Sequence, residues 1–313
     1  MKLQKILVPT DFSEFATAAL DYAAFLAGPG SIELHILHVL ELDGGAPYSL
    51  RSVMPDLEEH FESIEQKATD AMKSLLDDHR ADAVIIHRVL RRAFAAGPAI
   101  IEYAQEEEID LIVMGTHGRR GLRRFLLGSV AEEVVKTAPC SVLTLREQPE
   151  GGRGGLGKML VPFDFSSDSE RALEVAKELA VAYGSERIEV LHVAPVPAAA
   201  MGSGLPVAVP VHLPMAEQAR EVLREYDSAG SPGKPQIVTR VLEGPAAMRL
   251  VEEAEAIGTD LIVLGSHGLT GLRRFLMGSV SERVVRWADC PVLVLRSTSE
   301  EALASVETAR AES

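Results

Sequence analysis

The 313-residue chain is poor in cysteine and in aromatic residues, with two Cys, one Trp and 5% Phe, Trp and Tyr together. Two cysteines cannot build a disulfide framework, which excludes the stapled secreted domains and suits a reducing compartment. Long hydrophobic runs are missing as well, since no stretch approaches the ~18 apolar residues of a membrane span. Ile6-Leu7-Val8 stops at Pro9 before it can become a signal-peptide core, so the expected location is cytoplasmic. Positive charge is scarce: 31 Lys and Arg stand against 46 Asp and Glu, a net charge of −15. Such a chain repels nucleic acid and anionic membranes at long range, so any anion must enter a local cationic pocket. Two phosphate-binding signatures are also lacking. No Gly-x-x-x-x-Gly-Lys-Ser/Thr occurs, and no Gly-x-Gly-x-x-Gly follows the first strand.

What the chain does have is enough apolar matter for a large core, at 47% hydrophobic residues. Its length is about twice a modal domain of ~150 residues. The reason is an internal repeat. Residues 110–146 align without gaps on 260–296, with 25 identities in 37 positions. Ile6-Leu-Val-Pro-Thr-Asp-Phe-Ser13 matches Met159-Leu-Val-Pro-Phe-Asp-Phe-Ser166, and Leu37-His-Val39 matches Leu191-His-Val193. A period of about 150 residues is a duplicated domain, not a solenoid array of 20–50-residue units. The acid is shared too: residues 1–146 carry 15 basic and 22 acidic side chains (−7), leaving 16 and 24 (−8) for the rest. Domain one is assigned to 1–147 and domain two to 158–297. Between them, 148–157 is a flexible linker with five glycines in its last seven residues, and 298–313 is a polar tail.

Within the first repeat, short β-branched runs predict strands near 4–8, 32–39, 83–90, 110–114 and 141–145, and amphipathic stretches predict helices near 13–27, 56–79, 98–108 and 129–137. Ser13 and Ser166 suit N-caps, and Pro98 and Pro245 suit the first turn of the third helix. Five alternations of strand and helix imply an α/β fold with a parallel sheet covered on both faces. Ligands in such folds sit beyond the carboxyl ends of the strands, where strand order reverses. One stretch breaks the repeat: 195–214 holds five prolines, no acid and no base beyond His212. It reads as a long loop after the second strand, or as a lid or partner-binding surface.

After the fourth strand comes Gly115-Thr-His-Gly118, nine residues, then Gly128-Ser129, and the second copy repeats this as Gly265-Ser-His-Gly268 and Gly278-Ser279. Glycines leaving a buried strand let backbone N–H groups approach a ligand, and the Gly-Ser opens a helix whose first amides are unpaired. Residues 115–129 contain Arg119, Arg120, Arg123 and Arg124 and no acid, while 265–279 contain Arg273 and Arg274 and no acid. These windows suit a phosphate; alternatively the glycines serve packing and the arginines form a solvated face. Asp11 and Asp164, at the end of the first strand, suit ribose hydroxyls or a phosphate-bound metal, or else cap the next helix.

Val-Pro-x-Asp-Phe-Ser, Leu-His-Val and Gly-x-x-Gly-(nine)-Gly-Ser, each present twice, resemble the universal stress protein family over nearly all of residues 1–296. The resemblance implies two tandem flavodoxin-like (Rossmann-like) domains, each a five-stranded parallel sheet of order 3-2-1-4-5. In the nucleotide-binding branch ATP lies between the first and fourth strands. Carried over, Val39 and Val193 offer backbone to adenine, and Pro9, Thr10, Asp11, Pro162 and Asp164 face ribose and phosphate. Met114, Gly115, Gly118, Arg119, Gly128, Ser129 and Val130 wrap the rest in the first copy. Leu264, Gly265, Gly268, Gly278, Ser279 and Val280 do so in the second. Two departures predict a weaker second site: Thr10 becomes Phe163, and Arg119 and Arg120 become Leu269 and Thr270. No protein side-chain metal site is expected, Mg entering only on nucleotide phosphates. The expected role is an ATP-dependent stress or regulatory protein with an unknown protein partner. Its alternatives are a slow ATPase or phosphotransferase and a nucleotide-independent interaction module. The loop arginines suit transition-state charge, but no residue is clearly poised as the base, so hydrolysis is expected to be slow at most.

Cys140 and Cys290 share one repeat position and are expected to be buried free thiols. Last strands in this family commonly pair antiparallel across a two-fold, which implies a pseudo-two-fold monomer or a homodimer and keeps these thiols apart. His35 and His38, three apart on a strand, face opposite sides and make a poor metal pair. His117 and His267 lie in the glycine loops and suit hydrogen bonding better than catalysis.

Overall fold

The structure, a computed structural model, describes residues 3–28, 32–42, 57–77, 85–116, 127–146, 155–195, 213–266 and 277–296. The chain divides into two compact units, Lys2–Gly154 and Gly155–Ser313, the second including Met1. Residues 147–154, which include most of the assigned linker 148–157, the segment 196–212 within the proline-rich stretch, and residues 297–313, which include the assigned tail, lie outside the described residues.

The first unit runs β1 (Lys5–Pro9), α1 (Glu14–Ala27), β2 (Glu33–Glu41), α2 (Leu57–Asp77), β3 (Ile85–Ala93), α3 (Ala96–Glu106), β4 (Leu111–Gly115), α4 (Ser129–Thr137) and β5 (Ser141–Leu145). Its strands lie in the order β3-β2-β1-β4-β5, and all four pairings are parallel. The second unit repeats this with β6 (Lys158–Pro162), α5 (Ser167–Tyr183), β7 (Arg187–Ala194), α6 (Leu213–Leu223), β8 (Gln236–Glu243), α7 (Ala246–Ile257), β9 (Leu261–Gly265), α8 (Ser279–Trp287) and β10 (Val292–Leu295). Its order is β8-β7-β6-β9-β10, again wholly parallel. The predicted α/β class and 3-2-1-4-5 order are therefore found in each half.

The reason lies in the strand sequences. Ile6-Leu7-Val8 and Ile112-Val113 have no measurable exposure, nor have Met159-Leu160-Val161 and Ile262-Val263. A strand buried on both faces can lose an alternating polar side, so it reads as a continuous apolar run. Each such Leu, Ile or Val contributes about 1.5–3 kcal/mol by leaving water.

The helix starts are cut by the expected residues. Ser13 Oγ accepts from Ala16 N–H at 3.3 Å, and Ser166 Oγ accepts from Ser169 N–H at 3.2 Å. Several boundaries differ from expectation: β2 and β3 run on to Glu41 and Ala93 rather than ending near 39 and 90, and two helix starts shift. α3 begins at Ala96, two residues earlier, with Pro98 still in its first turn; Pro245 sits one residue before α7, as its N-cap. A proline needs no helical hydrogen bond at either place, so sequence could not choose between them. In the second unit the outer edge of β8 is covered by chain returning after α6, where Ser228 and Ile237 exchange backbone hydrogen bonds of 3.0 and 3.1 Å.

Candidate functional site

Strand order reverses between β1 and β4, and the ladder joining them is short. Only Ile6–Leu111 and Leu7–Ile112 pair, although both strands run on. The second unit is the same, with Met159–Leu261 and Leu160–Ile262. Past these pairs the ladder ends, and the carboxyl ends of the two strands flank the place where a crevice is expected. A parallel sheet of this topology offers a ligand its site there.

One wall is the turn from β1 into α1. Thr10 N–H donates to Leu37 C=O at 2.8 Å, which ends the β1–β2 ladder. Thr10 C=O is then taken by the ring of His38, at 2.7 Å from Nδ1. A carbonyl can only accept, so Nδ1 carries the proton. The His38 ring lies 4.5 Å from that of Phe12, whose φ of 61° is a left-handed conformation rare for a bulky residue. Phe12 N–H donates to Thr10 Oγ1 at 3.0 Å and Ser13 N–H to Asp11 Oδ1 at 3.1 Å, which hold that strained backbone. The second copy rebuilds the turn. Phe163 N–H donates to Leu191 C=O at 2.9 Å, and His192 Nδ1–H reaches Phe163 C=O at 2.8 Å. Phe165 has φ 66°, and Ser166 N–H donates to Asp164 Oδ1 at 3.1 Å. In both copies the aspartate thus has a local task, holding the turn. The histidine of Leu-His-Val is a site-building residue that sequence reasoning did not assign; its recurrence in both copies was the available signal.

β2 and β7 extend beyond their β1 and β6 neighbours, held on their other side by pairing with β3 and β8. Leu37 C=O faces β1, so two residues on, Val39 presents its backbone N–H and C=O on the same side, beyond Pro9. Val193 does likewise beyond Pro162.

The other wall is the end of β4 and the start of α4. Met114 is buried and Gly115 partly so. A side chain on Gly115 would place its Cβ 2.7 Å from Phe15 Cβ and 3.1 Å from Phe15 O, because α1 packs directly over the strand end. Gly265 has the same constraint, 2.7 Å from Asp168 Cβ in α5. These two glycines therefore have a packing reason to be glycine. After them, Gly128 N–H donates to Thr116 C=O, and Gly278 N–H to Ser266 C=O, each at 2.8 Å. That bond closes the neck of each loop. Residues 117–126 and 267–276, which include Gly118, Arg119, Gly268, His117 and His267, lie outside the described residues.

Gly128 and Gly278 then act as N-caps of α4 and α8 with no side-chain hydrogen bond to the helix. Ser129, Val130, Ser279 and Val280 are the first helical residues, each partly or well exposed. Their amides carry the positive end of the helix dipole at the loop neck. One difference separates the copies. Thr10 is replaced by Phe163, whose ring is 3% exposed and packs against Phe165 at 5.4 Å and Tyr226 at 5.3 Å.

Cys140 and Cys290 form no disulfide and are half-buried, more open than expected, and burial pushes the Cys290 thiol up to about 12. Among the described residues no helix is long and apolar enough to cross a membrane.

Comparison with known proteins agrees with this architecture. The family model described as "Universal stress protein family" matches residues 2–146 and 155–296. A universal stress protein of Mycolicibacterium smegmatis is 26% identical over 296 residues, covering 93% of this chain and 96% of its own. Universal stress protein MJ0531 of Methanocaldococcus jannaschii is 33% identical over 144 residues, covering 46% of this chain and 82% of its own. The crystal structure of a universal stress protein from Archaeoglobus fulgidus superposes with a TM-score of 0.62 at 23% identity, covering 95% of this chain and 97% of that one, a likeness of fold. With both halves matched by the family model and both built on the same turn, crevice and loop neck, the chain belongs to the universal stress protein family and carries its domain twice.

Proposed function

We propose that the chain is a nucleotide-responsive regulatory protein whose first crevice binds ATP, with a second, weaker site in the other half. The observation that carries this is the loop neck. Gly128 N–H is tied back to Thr116 C=O, so an acid-free loop bearing four arginines leaves and rejoins the fold beside the α4 N-terminus, whose N-cap is a glycine with no side chain to occupy the first amides. Unpaired amides, a positive dipole end and clustered guanidinium groups are the donor set that phosphate oxygens require.

The rest of the crevice fits a nucleoside. Val39 offers one N–H and one C=O in the plane of the sheet, a pairing that suits a base edge. Asp11 is oriented by Ser13 N–H, so its carboxylate is positioned for ribose hydroxyls without a search among rotamers. Pro9 and Thr10, held by His38, form the floor, and Met114 and Gly115 the side towards β4. Gly118, Arg119, Gly128, Ser129 and Val130 hold the phosphates, on which Mg2+ enters. In the second crevice the matching residues are Pro162, Asp164, Val193, Leu264, Gly265, Gly268, Gly278, Ser279 and Val280. There the Phe163, Phe165 and Tyr226 rings crowd the floor and two arginines are lost, which favours weaker binding. ATP occupancy changes the surface offered to a protein partner.

The test is to denature purified protein and identify released nucleotide by mass spectrometry, then to measure the thermal shift on adding Mg-ATP. Bound adenine nucleotide or a clear upward shift is expected. Neither appearing would overturn the reading and leave an interaction module. Phosphate release linear over many turnovers and abolished by Gly128→Asp would instead make the protein an ATPase.

A further inference from the structure

At the opposite end of the first sheet from the crevice, two histidines and a glutamate converge. Glu33 and His35 are two residues apart on β2 and so share a face. His87 on β3 pairs in register with His35, which puts it on that face too. The His35 and His87 rings stack at 4.4 Å, and Glu33 Oε2 lies 3.6 Å from His35 Nε2 and 3.3 Å from His87 Nε2. One donor atom from each residue lies within 4.8 Å of the other two. We propose that Glu33, His35 and His87 form a binding site for a divalent transition metal of the Zn2+ class, which clips β2 to β3.

Three observations carry this. First, the spacing is right. At metal–ligand lengths of about 2.0–2.1 Å the edge of a tetrahedron is about 3.3–3.4 Å, and the two carboxylate–imidazole separations straddle it. Second, His35 is prepared as a ligand. Its side chain is 3% exposed, and Nε2 makes no hydrogen bond among the described residues although it is buried and faces Glu33. Its other nitrogen, Nδ1, is held by Tyr103 Oη at 2.7 Å. That contact fixes the ring with Nε2 turned into the cluster, which is how outer partners set a ligating imidazole.

Third, the second copy shows what the fold does with this position when it is not a ligand set. Aligned on Leu-His-Val, Glu33, His35 and the register partner His87 become Arg187, Glu189 and Val238. There the buried Glu189 is hydrogen-bonded by Arg187, with Arg240 at 3.8 Å. A buried polar group is thus compensated by guanidinium in one copy, and by two imidazoles and a carboxylate in the other. Glu33 and His87 are 37% and 45% exposed, which leaves an entry path and open coordination positions facing solvent. Two imidazoles and a carboxylate with open positions suit Zn2+ and its neighbours, not Mg2+ or Ca2+.

The experiment strips the full-length protein with a chelator, removes the chelator, and titrates Zn2+ by calorimetry without nucleotide, with Co2+ absorption as a second readout. One equivalent per chain is expected, with visible d–d bands of a low-coordinate Co2+ site. His87→Ala, at an exposed position, is expected to weaken binding at least about 100-fold, since losing even an outer partner costs 10–100-fold. Glu33→Gln should likewise weaken it and quench the Co2+ bands. No Zn2+ binding by the intact chain, or binding unaltered in His87→Ala, would overturn the proposal.

Discussion

Phe12 and Phe165 show how much of this protein is decided by single residues in unusual conformations. A left-handed φ costs a bulky residue of order 1–3 kcal/mol, and it persists where neighbours over-determine it. Here the neighbours are Thr10, Asp11, Ser13 and the His38 ring in one copy, and Asp164, Ser166 and His192 in the other. Cys290 illustrates the same rule for a titrating group. Burial raises its thiol to about 12 against an ordinary 9.0, so unfolding releases a proton anywhere between those values. Its contribution to stability is complete below pH 9 and is lost as pH rises towards 12. The slope is at most about 1.4 kcal/mol per pH unit. Denaturant titrations from pH 8.5 to 10.5 are expected to show a shallower fall in Cys290→Ala than in the wild type. Cys290 should also resist alkylation at pH 8 until the protein is unfolded, as peptide mass spectrometry would read.

At the level of elements, the crevice depends on how closely α1 lies over the end of β4. Gly115 leaves no room for a side chain against Phe15, nor Gly265 against Asp168. Gly115→Val is expected to destabilise the first half by about 1–3 kcal/mol through overpacking, measured by urea unfolding. Removing the cap in Ser13→Ala should cost about 1 kcal/mol. It should leave Mg-ATP binding within a few-fold of the wild type, because the cap stabilises the helix without reaching the crevice. Most elements were legible in the sequence. The buried strands are short apolar runs, and Ser13 and Ser166 announce the helices after β1 and β6. The β1–β4 register was not legible. That the ladder stops after two pairs depends on contacts between residues more than 100 positions apart. The packing role of Gly115 was hidden for the same reason, since its neighbour Phe15 belongs to a distant element.

For the whole molecule, duplication makes each half a control for the other. Gly118→Val is expected to weaken ATP binding more than Gly268→Val does, because Arg119 and Arg120 have become Leu269 and Thr270. Calorimetric titration of the two variants reads the difference, and equal losses would refute the asymmetry. The crowding of Phe163 by Tyr226 argues in the same direction.

The sequence alone determined the class of fold, its duplication and the positions of the two glycine loops. These rest on local patterns, namely apolar runs, caps and a repeated motif, which need no knowledge of distant contacts. Only the tertiary structure decided which residues meet. It put the ring of His38 on Thr10 C=O, tied Gly128 to Thr116, and brought His87 beside His35 and Glu33. The reason is strand register: His35 and His87 lie 52 residues apart, and only the pairing of β2 with β3 brings them side by side.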